Sequence, residues 1–236
     1  VKGKVKFNFN TQASVGVIGK KLDVLTGDQI RSIINADAVA TGSNTYKNLL
    51  GTANTNWQDE IFQAAFASDN NISASGSLKI GNNKDLPFRV SLGYLNQNGI
   101  LKTDNFSRFS SALNLSPKFF KDHLSVNLNL KATTTKNVFA NGGAVGSAAN
   151  FDPTQPVKAA NKFGGYYEWL QVDGNPIDLA TRNPMGLLNL RDNKSTVNRF
   201  IGNVQLDYKL HFFPDLHVLV NVGTDNNSGS GNDNID

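Results

Sequence analysis

The sequence contains no cysteine, only one methionine and three histidines, and charged residues make up only 18% of its 236 positions. Without cysteine the chain can form no disulfide, no thiolate metal site and no cysteine nucleophile. The hydrophobic fraction of 39% is also below the usual range, and Asn, Ser, Thr and Gly make up the difference. This composition is untypical of a cytosolic enzyme and favours long strands joined by polar loops.

Long hydrophobic runs are absent as well. No stretch approaches the roughly 18 consecutive apolar residues of a transmembrane helix, which excludes a helical membrane protein only. The first ten residues, VKGKVKFNFN, alternate from the start and contain no apolar core of a signal peptide, so we expect the chain to be a piece of a longer protein. The net charge is +4, but the basic residues are scattered, which does not favour nucleic-acid binding.

A strict two-residue alternation is present instead, and it is clearest between positions 106 and 136. One phase of its second half is apolar, at Leu124, Val126, Leu128, Leu130 and Ala132, and the other is polar, at Ser125, Asn127, Asn129, Lys131 and Thr133. Because successive side chains of a strand point to opposite faces, this pattern predicts a ribbon with one apolar and one polar face.

Similar alternation predicts seven strands, at about 5–17, 71–80, 88–94, 106–115, 124–136, 199–210 and 216–222. Their connections alternate in length: long loops at about 18–70, 96–106 and 136–198, and short turns at about 81–87, 116–123 and 211–215. In an up-and-down antiparallel sheet every second connection lies at the same end, so all long loops should gather at one end. Outer-membrane barrels have this asymmetry.

Short sequence signals predict the local structure within the long loops and after the last strand. Capping-box spacing predicts short helices that begin at Thr26 and at Thr55. The glycines of 142–146 predict a flexible loop, and the residues after Val222, including Asp225–Gly229, predict a polar tail or turn rather than a calcium site.

Strand length and aromatic placement favour a membrane barrel. Leu124 to Thr134, tilted by about 40°, would rise about 27 Å, close to the roughly 25 Å apolar band of such barrels. Aromatic residues collect at the short-turn end, as an interfacial girdle requires, at Phe88, Phe119, Phe120, Tyr208, Phe212 and Phe213. We therefore predict an all-β fold in which residues 1–236 form one partial domain, a segment of a large antiparallel up-and-down transmembrane β-barrel. The alternative is a secreted soluble β-sandwich that acts as a carbohydrate-binding or adhesin-like module.

Several phrases, in the same order along nearly the whole chain, resemble the SusC/RagA family of TonB-dependent outer-membrane transporters. They are NWQDEIF at 56–62, SASG at 73–76, RVSLGYLNQNG at 89–99, FSRF at 106–109 with LNLS at 113–116, and TRNP at 181–184. The resemblance implies a barrel of about 22 strands, plugged by an N-terminal domain, in a bacterial outer membrane. It also implies a SusD-like surface lipoprotein as partner and import of oligosaccharides or peptides powered through TonB. The plug and the parts that contact TonB cannot be located in this sequence, which would supply a middle part of the barrel wall.

The sequence offers no catalytic constellation. GxSxG, Walker A and GxGxxG motifs are absent, and His123, His211 and His217 have no carboxylate or second histidine at ligand spacing. We predict no enzyme activity, no cofactor and no metal.

Two groups of residues are candidates for binding. Tyr166, Tyr167 and Trp169, with Trp57 behind them, could stack on sugar rings or anchor a partner protein, or could only fix the long loop to its neighbours. The polar phase of the strands is the second candidate, because it would face the transport lumen; any barrel lumen must also be polar whatever its cargo. Its residues are Lys4, Lys6, Asn8, Gln12, Arg89, Asn127, Asn129, Lys131, Asn203, Gln205 and Asp207.

Overall fold

The computed structural model describes residues 4–80 and 84–235. Their strands form one antiparallel sheet. Its strands are β1 (Lys6–Gly16), β2 (Ala65–Ile80), β3 (Lys84–Asn98), β4 (Asn105–Leu115), β5 (Lys118–Phe119), β6 (Leu124–Val138), β7 (Arg191–Leu210) and β8 (Phe213–Ile235). Sequence neighbours pair throughout, in the order β1-β2-β3-β4-β6-β7-β8, and the short β5 pairs with β6. This up-and-down topology confirms the predicted fold class.

Most strands are longer than the alternation predicts, although β1 is shorter by one residue at each end. β2 begins at Ala65 and β7 at Arg191, and β8 continues to Ile235. The predicted polar tail after Val222, with its loop at 225–229, is therefore wrong. Backbone hydrogen bonds to β7 hold this polar half of β8 in register as far as Arg191 and Ile235, whatever the side chains. The first three residues of the predicted turn at 81–87 lie outside the described residues, and residues 84–87 belong to β3.

The helices lie in the two longest connections. α1 (Gly27–Thr41) begins with the predicted capping box, in which Thr26 Oγ1 accepts from Gln29 N and Gln29 Oε1 accepts from Thr26 N; it ends at Gly42, whose φ of 71° suits glycine. α2 (Trp57–Ile61) is capped by Asn56, so the predicted start at Thr55 is one residue early. A single 3₁₀ turn covers Lys47–Leu49.

The later connection contains α3 (Gly143–Asn150) and α4 (Pro184–Asn189). The flexible loop predicted at 142–146 is thus largely the first turn of a helix, because Ala144 and Ala148 on one side of α3 are buried against other parts of the chain. Within the described ranges, no helix is both long enough and apolar enough to cross a membrane.

Register divides the sheet into one apolar and one polar face, since directly paired residues of antiparallel strands share a face. The apolar face runs without a break from β1 to β8 through the paired residues Phe7, Phe9, Ile72, Val90, Leu92, Leu113, Leu115, Leu128, Leu130, Val204, Leu206, Val220 and Val222. Many of these side chains are exposed; Phe7 and Phe9 are 75% and 69% accessible. No second sheet covers them among the described residues, so the arrangement differs from a β-sandwich.

On β6 and β7 this apolar face ends before the strands reach the long loops. Beyond the pair Ala132–Phe200, the same phase continues as Thr134, Asn198 and Ser228, which are paired across β6, β7 and β8. Thr134 Oγ1 donates a 2.8 Å hydrogen bond to Asn198 Oδ1. The strands therefore extend past the apolar band into a polar zone.

Candidate functional site

The three long connections meet at one end of the sheet, as predicted. They cover residues 17–64, 99–104 and 139–190, and we call them together the loop cap. The first and third connections are joined by backbone hydrogen bonds from Ala53 N to Thr154 O (3.0 Å) and from Thr55 N to Pro153 O (2.8 Å). The second joins them through Lys102 N, which donates to Ile61 O at 2.9 Å. The loop cap is therefore one folded unit and not three separate loops.

A small apolar core holds the loop cap together. It is formed where α2, α3 and α4 converge, by Trp57, Ile61, Ala144, Ala148, Phe151 and Leu188. The rings of Trp57 and Phe151 meet edge to face with centroids 4.8 Å apart. Trp57 Nε1 donates to the carbonyl oxygen of Asp152 at 3.0 Å, so the indole is both buried and hydrogen-bonded. Of the predicted binding residues, Trp57 is thus a core residue of the loop cap.

The other predicted aromatics, Tyr166 to Trp169, form a segment that packs against this core; we call it the aromatic segment. Tyr166 is buried, and Lys158 Nζ lies 3.2 Å from its ring centroid, a cation–π contact. Tyr167 meets Phe151 and Trp169 edge to face, at centroid distances of 6.3 and 5.5 Å. Tyr167 and Trp169 remain half-buried, so part of their surface is open to a ligand.

Beyond Trp169 the chain forms a short hairpin that presents apolar side chains to solvent. Ile177 N donates to Trp169 O at 2.8 Å, and Leu170 bridges to Pro176. Val172 at the hairpin and Leu179 just after it are fully accessible. Apolar groups at such positions are typical of surfaces that contact another molecule.

Asn183 is the most connected polar residue of the loop cap, and the sequence interpretation assigned it no role of its own. Its side chain is fully buried. Its Oδ1 accepts from the backbone N–H groups of Met185 and Gly186, which caps α4, and its Nδ2 donates to the carbonyls of Val157 and Tyr167 at 3.1 Å each. The only sequence signal was Asn-Pro before an apolar run, because Pro suits the first helical position.

Thr154 and Gln155 were missed as well. Both are buried between the two longest connections. Gly51 N donates to Thr154 Oγ1 at 3.0 Å, and Gln155 Nε2 donates to Leu49 O at 2.8 Å. A Cβ on Gly51 would stand 2.2 Å from the carbonyl oxygen of Thr154, so only glycine allows this approach.

Two ionisable groups of the aromatic segment have altered acidity. Burial raises the pKa of the Tyr167 hydroxyl, and the nearby charge of Asp152 adds to the effect. Burial also raises the pKa of Glu168, although the hydrogen bond from Asn183 N and the charge of Arg182 lower it.

The histidines do have partners. His123 and His211 stack with centroids 4.0 Å apart near the short turns, and His217 Nδ1 lies 2.8 Å from Asp207 Oδ1. Spacing along the sequence does not reveal these neighbours: the β6–β7 pairing brings His123 to the turn that contains His211, and the β7–β8 pairing brings His217 beside Asp207. Throughout the described ranges, however, no three His, Asp or Glu side chains are placed to hold a metal ion.

The predicted polar-face residues do share one face. Arg89 pairs with Asn114, Asn114 with Asn129 and Asn129 with Asn203, which forms one row across four strands. Asn127 pairs with Gln205 and Lys131 with Ile201 in the neighbouring rows. The structure thus gathers these amide and basic side chains into a continuous polar surface.

Two known proteins are similar to this chain in sequence. The chain is 39% identical over 233 residues to the TonB-dependent receptor SusC of Bacteroides thetaiotaomicron, across 92% of this chain and 22% of SusC. It is 27% identical over 162 residues to the TonB-dependent receptor P26 of Formosa agariphila, across 66% of this chain and 14% of P26. No protein-family model matches the chain.

Solved structures agree with the fold. The RagAB peptide importer in its closed-closed state superposes with a TM-score of 0.61 at 18% identity, over 96% of this chain and 28% of that chain. Its open-open state gives the same TM-score over 97% of this chain. At this identity the likeness concerns the fold alone.

One up-and-down sheet, with an uncovered apolar face and all long loops at one end, defines a segment of the wall of a large outer-membrane-type barrel. The chain belongs to the SusC/RagA family of TonB-dependent outer-membrane transporters, as its motifs indicated. It spans only about a fifth of the length of SusC.

Proposed function

We propose that the chain forms wall strands and extracellular loops of a TonB-dependent nutrient importer in a bacterial outer membrane. The observation that carries this proposal is the position of two features: the apolar side chains of β6 and β7 stop at the pair Ala132–Phe200, and the loop cap begins beyond this pair on the same side. A barrel wall in a bilayer requires an apolar band of fixed height and long loops on the outer side. A secreted soluble module requires neither.

The same argument orients the segment. The short turns after β4 and β7 would lie on the periplasmic side, with Phe119, Phe120, Phe212 and Phe213 at the inner interface. Tyr94 and Phe109, which pair in the row just beyond the apolar band, would lie at the outer interface. Aromatic rings prefer both interfaces of a membrane.

The polar face would then line the transport lumen. Arg89, Asn127, Asn129, Lys131, Asn203 and Gln205 are its central residues. Amides and cations at such a wall can hydrogen-bond a hydrated cargo without holding it tightly. Transport here is positioning and permeation, with no covalent chemistry.

SusC is named as a TonB-dependent receptor and RagAB as a peptide importer. We extend both properties to this protein as proposals: cargo that is an oligosaccharide or a peptide, and energy supplied through TonB by parts of the receptor outside this chain. A SusD-like lipoprotein is the proposed partner of the loop cap. The exposed Val172 and Leu179 beside half-buried Trp169 and Tyr167 supply a suitable apolar contact, while Trp57 and Tyr166 hold the surface from beneath.

Single-cysteine labelling of the full-length receptor tests location and orientation together, in a version with any other cysteine replaced. Leu179→Cys should react with a membrane-impermeant maleimide in intact cells. Lys121→Cys, in the turn between β4 and β6, should react only after the outer membrane is permeabilised. Labelling of Lys121→Cys in intact cells, or recovery of the receptor in the soluble fraction, would contradict the proposal.

Uptake tests the transport role in the same strain. Deletion of the receptor gene should abolish growth on its cargo, found by screening oligosaccharide and peptide mixtures, and inactivation of TonB should have the same effect. Unchanged uptake after TonB inactivation would exclude active import by this receptor.

A further inference from the structure

An open groove of about 400 Å³ lies on the polar face, on the side of the loop cap. Its polar lining comes from three neighbouring strands: Arg108 and Ser110 on β4, Lys131, Thr133 and Thr135 on β6, and Arg199 on β7. The other lining side chains, Val197 and Ile201, are apolar. Cations and hydroxyls therefore line one side of a space large enough for a small polar ligand.

Register explains why these side chains converge. Thr133 pairs with Ser110 on one side and with Arg199 on the other. Arg108 pairs with Thr135 one row nearer the loop cap, and Lys131 lies one row farther away. With about 3.3 Å per residue and 4.8 Å between strands, Arg108 and Lys131 are about 14 Å apart at Cα. That separation suits two charged groups of one extended ligand.

The charges of the groove are unbalanced. Arg199 forms a two-pronged ion pair with Asp225, at 2.9 Å from Nε and 2.5 Å from Nη2, so this guanidinium is fixed and keeps Nη1 for another acceptor. Across the described part of the chain, neither Arg108 nor Lys131 forms an ion pair.

A further acid of the polar face, Asp69, does not neutralise the groove either. Asp69 shares a row with Arg108 through Leu95 but stands two strands away, and its Oδ1 accepts from Asn71 Nδ2 at 2.7 Å. The groove thus keeps a net charge of about +2, from Arg108, Lys131 and the Arg199–Asp225 pair. Its hydroxyl groups can donate hydrogen bonds to a bound anion.

We infer that this groove binds carboxylate groups of the cargo near the outer mouth of the lumen, and that the importer favours acidic oligomers over neutral ones. The inference rests on the proposed function, because it needs this face to line the lumen. Arginine and lysine beside serine and threonine supply charge-assisted hydrogen bonds that a carboxylate accepts and a neutral amide or hydroxyl uses less well. At this height the opposite face has just changed from Ala132 to Thr134, so the groove lies where cargo would enter.

Purified full-length receptor is the material for the test, and isothermal calorimetry at low salt is the measurement. One probe pair is a hexapeptide with three glutamates and its glutamine twin; the second is trigalacturonate and neutral trigalactose. The wild-type receptor should bind at least one acidic probe about tenfold more tightly than its neutral twin, and the pair that shows this preference identifies the carboxylate source as peptide or glycan. Binding of the acidic probe should weaken as salt rises, because screening acts on exposed charges.

The double variant Arg108→Gln/Lys131→Gln should abolish the preference, because it should weaken binding of the acidic probe about tenfold more than binding of its neutral twin. The matched control is Lys136→Gln/Lys194→Gln, which removes two positive charges from the opposite face of the same sheet and should keep the preference. Retention of the preference in the first variant, equal loss in both variants, or no preference in the wild type would overturn the inference.

A different result would identify another occupant. If Arg108→Gln/Lys131→Gln lowers the melting temperature of the receptor and weakens both twins equally, the groove holds acidic residues from another part of the receptor and not cargo. Import of neutral cargo alone would overturn this inference while leaving the proposed function intact. Loss of TonB-dependent uptake altogether would be a failure of the proposed function.

Discussion

The backbone N–H of Asn183 donates a 3.0 Å hydrogen bond to Oε1 of Glu168, which ties the start of α4 to the aromatic segment. The Glu168 side chain is only 11% accessible, and Arg182 Nη1 lies 3.9 Å from its other oxygen. Burial raises the pKa of this carboxyl above its ordinary value of 4.5, against the opposing effects of Asn183 and Arg182. The loop cap therefore contains an acid that is buried at some cost when ionised.

This acid should make the loop cap less stable as pH rises. A carboxyl whose pKa is higher in the folded state retains its proton to a higher pH there than in the opened loop. The stabilisation that the protonated carboxyl gives the folded loop cap is thus fully present below the ordinary pKa. It is lost as pH rises through the pKa of the folded state. We expect hydrogen–deuterium exchange in residues 157–190 of the full-length receptor, corrected for its intrinsic pH dependence, to show lower protection at pH 7 than at pH 4.

Glu168→Gln is the control for this pH effect. The amide oxygen can still accept from Asn183 N but does not titrate, so the pH dependence of protection in this segment should flatten. An equally steep dependence in Glu168→Gln would assign the effect to another group.

Replacement of Asn183 should destabilise the loop cap more than its size implies. Asn183→Ala removes two donated and two accepted bonds from a buried site. The Val157 carbonyl keeps the N–H of Tyr167, but the Tyr167 carbonyl loses its donor, at about 1–3 kcal/mol for a buried unsatisfied group. Asn183→Asp keeps the cap of α4 but loses both donors, so it should also be destabilising. Limited proteolysis of the full-length receptor should show faster cleavage within 157–190 for both variants, whereas Asn189→Ala on the exposed side of α4 should behave as wild type.

Two substitutions of Trp57 distinguish the contribution of packing from that of hydrogen bonding in the loop cap. Trp57→Ala should lower the local stability of the loop cap by about 3–5 kcal/mol, because it empties a site between α2 and Phe151. Trp57→Phe keeps a ring but removes the 3.0 Å bond to the Asp152 carbonyl, which still accepts from Gln155 N, so its cost should be about 1 kcal/mol. Exchange protection of α3 should follow this order. Equal effects of the two variants would mean that the hydrogen bond, not the ring, is decisive.

The sheet could be predicted from sequence wherever side chains alternate in polarity. Leu124 to Ala132 identified β6 nearly to its ends, and Thr26 with Gln29 identified the start of α1. The predicted end of β8 is too early, because the Asn, Ser and Gly residues after Val222 do not alternate in polarity. The backbone pairing of this part with β7 and the ion pair of Arg199 with Asp225 cannot be read from a linear sequence. Strand length depends on the neighbouring strand as much as on propensity.

The loop cap was harder to predict, because its order depends on contacts between distant segments. α3 has glycines that indicate a loop, and it is helical because Ala144 and Ala148 pack on a core that includes Trp57 and Leu188. Asn183 looked like an ordinary turn residue before proline. The aromatics were recognised as a group, but their division into buried Trp57 and Tyr166 and half-buried Tyr167 and Trp169 required coordinates.

That division gives distinct predictions for the aromatic segment. Trp169→Ala and Tyr167→Ala should reduce cargo uptake or co-purification of the lipoprotein with little change in receptor amount, because part of each ring is accessible. Tyr166→Ala should instead lower receptor amount or protease resistance, since its ring is buried against Lys158. Unchanged uptake and unchanged co-purification in the combined Tyr166, Tyr167 and Trp169 alanine variant would exclude a binding role for the segment.

The two faces of β6 provide the sharpest test of how the sheet lies in the membrane. Leu128→Lys and Asn129→Lys place the same new charge one residue apart, on the apolar and the polar face respectively. If the apolar face meets lipid, Leu128→Lys should cost about 2–4 kcal/mol near the middle of the bilayer, and Asn129→Lys should cost little. Heat-modified gel mobility and the amount of folded full-length receptor in outer-membrane fractions measure the difference. Equal folding of the two variants would mean that the apolar face at Leu128 meets water and not lipid, since a lysine buried against protein would also be costly.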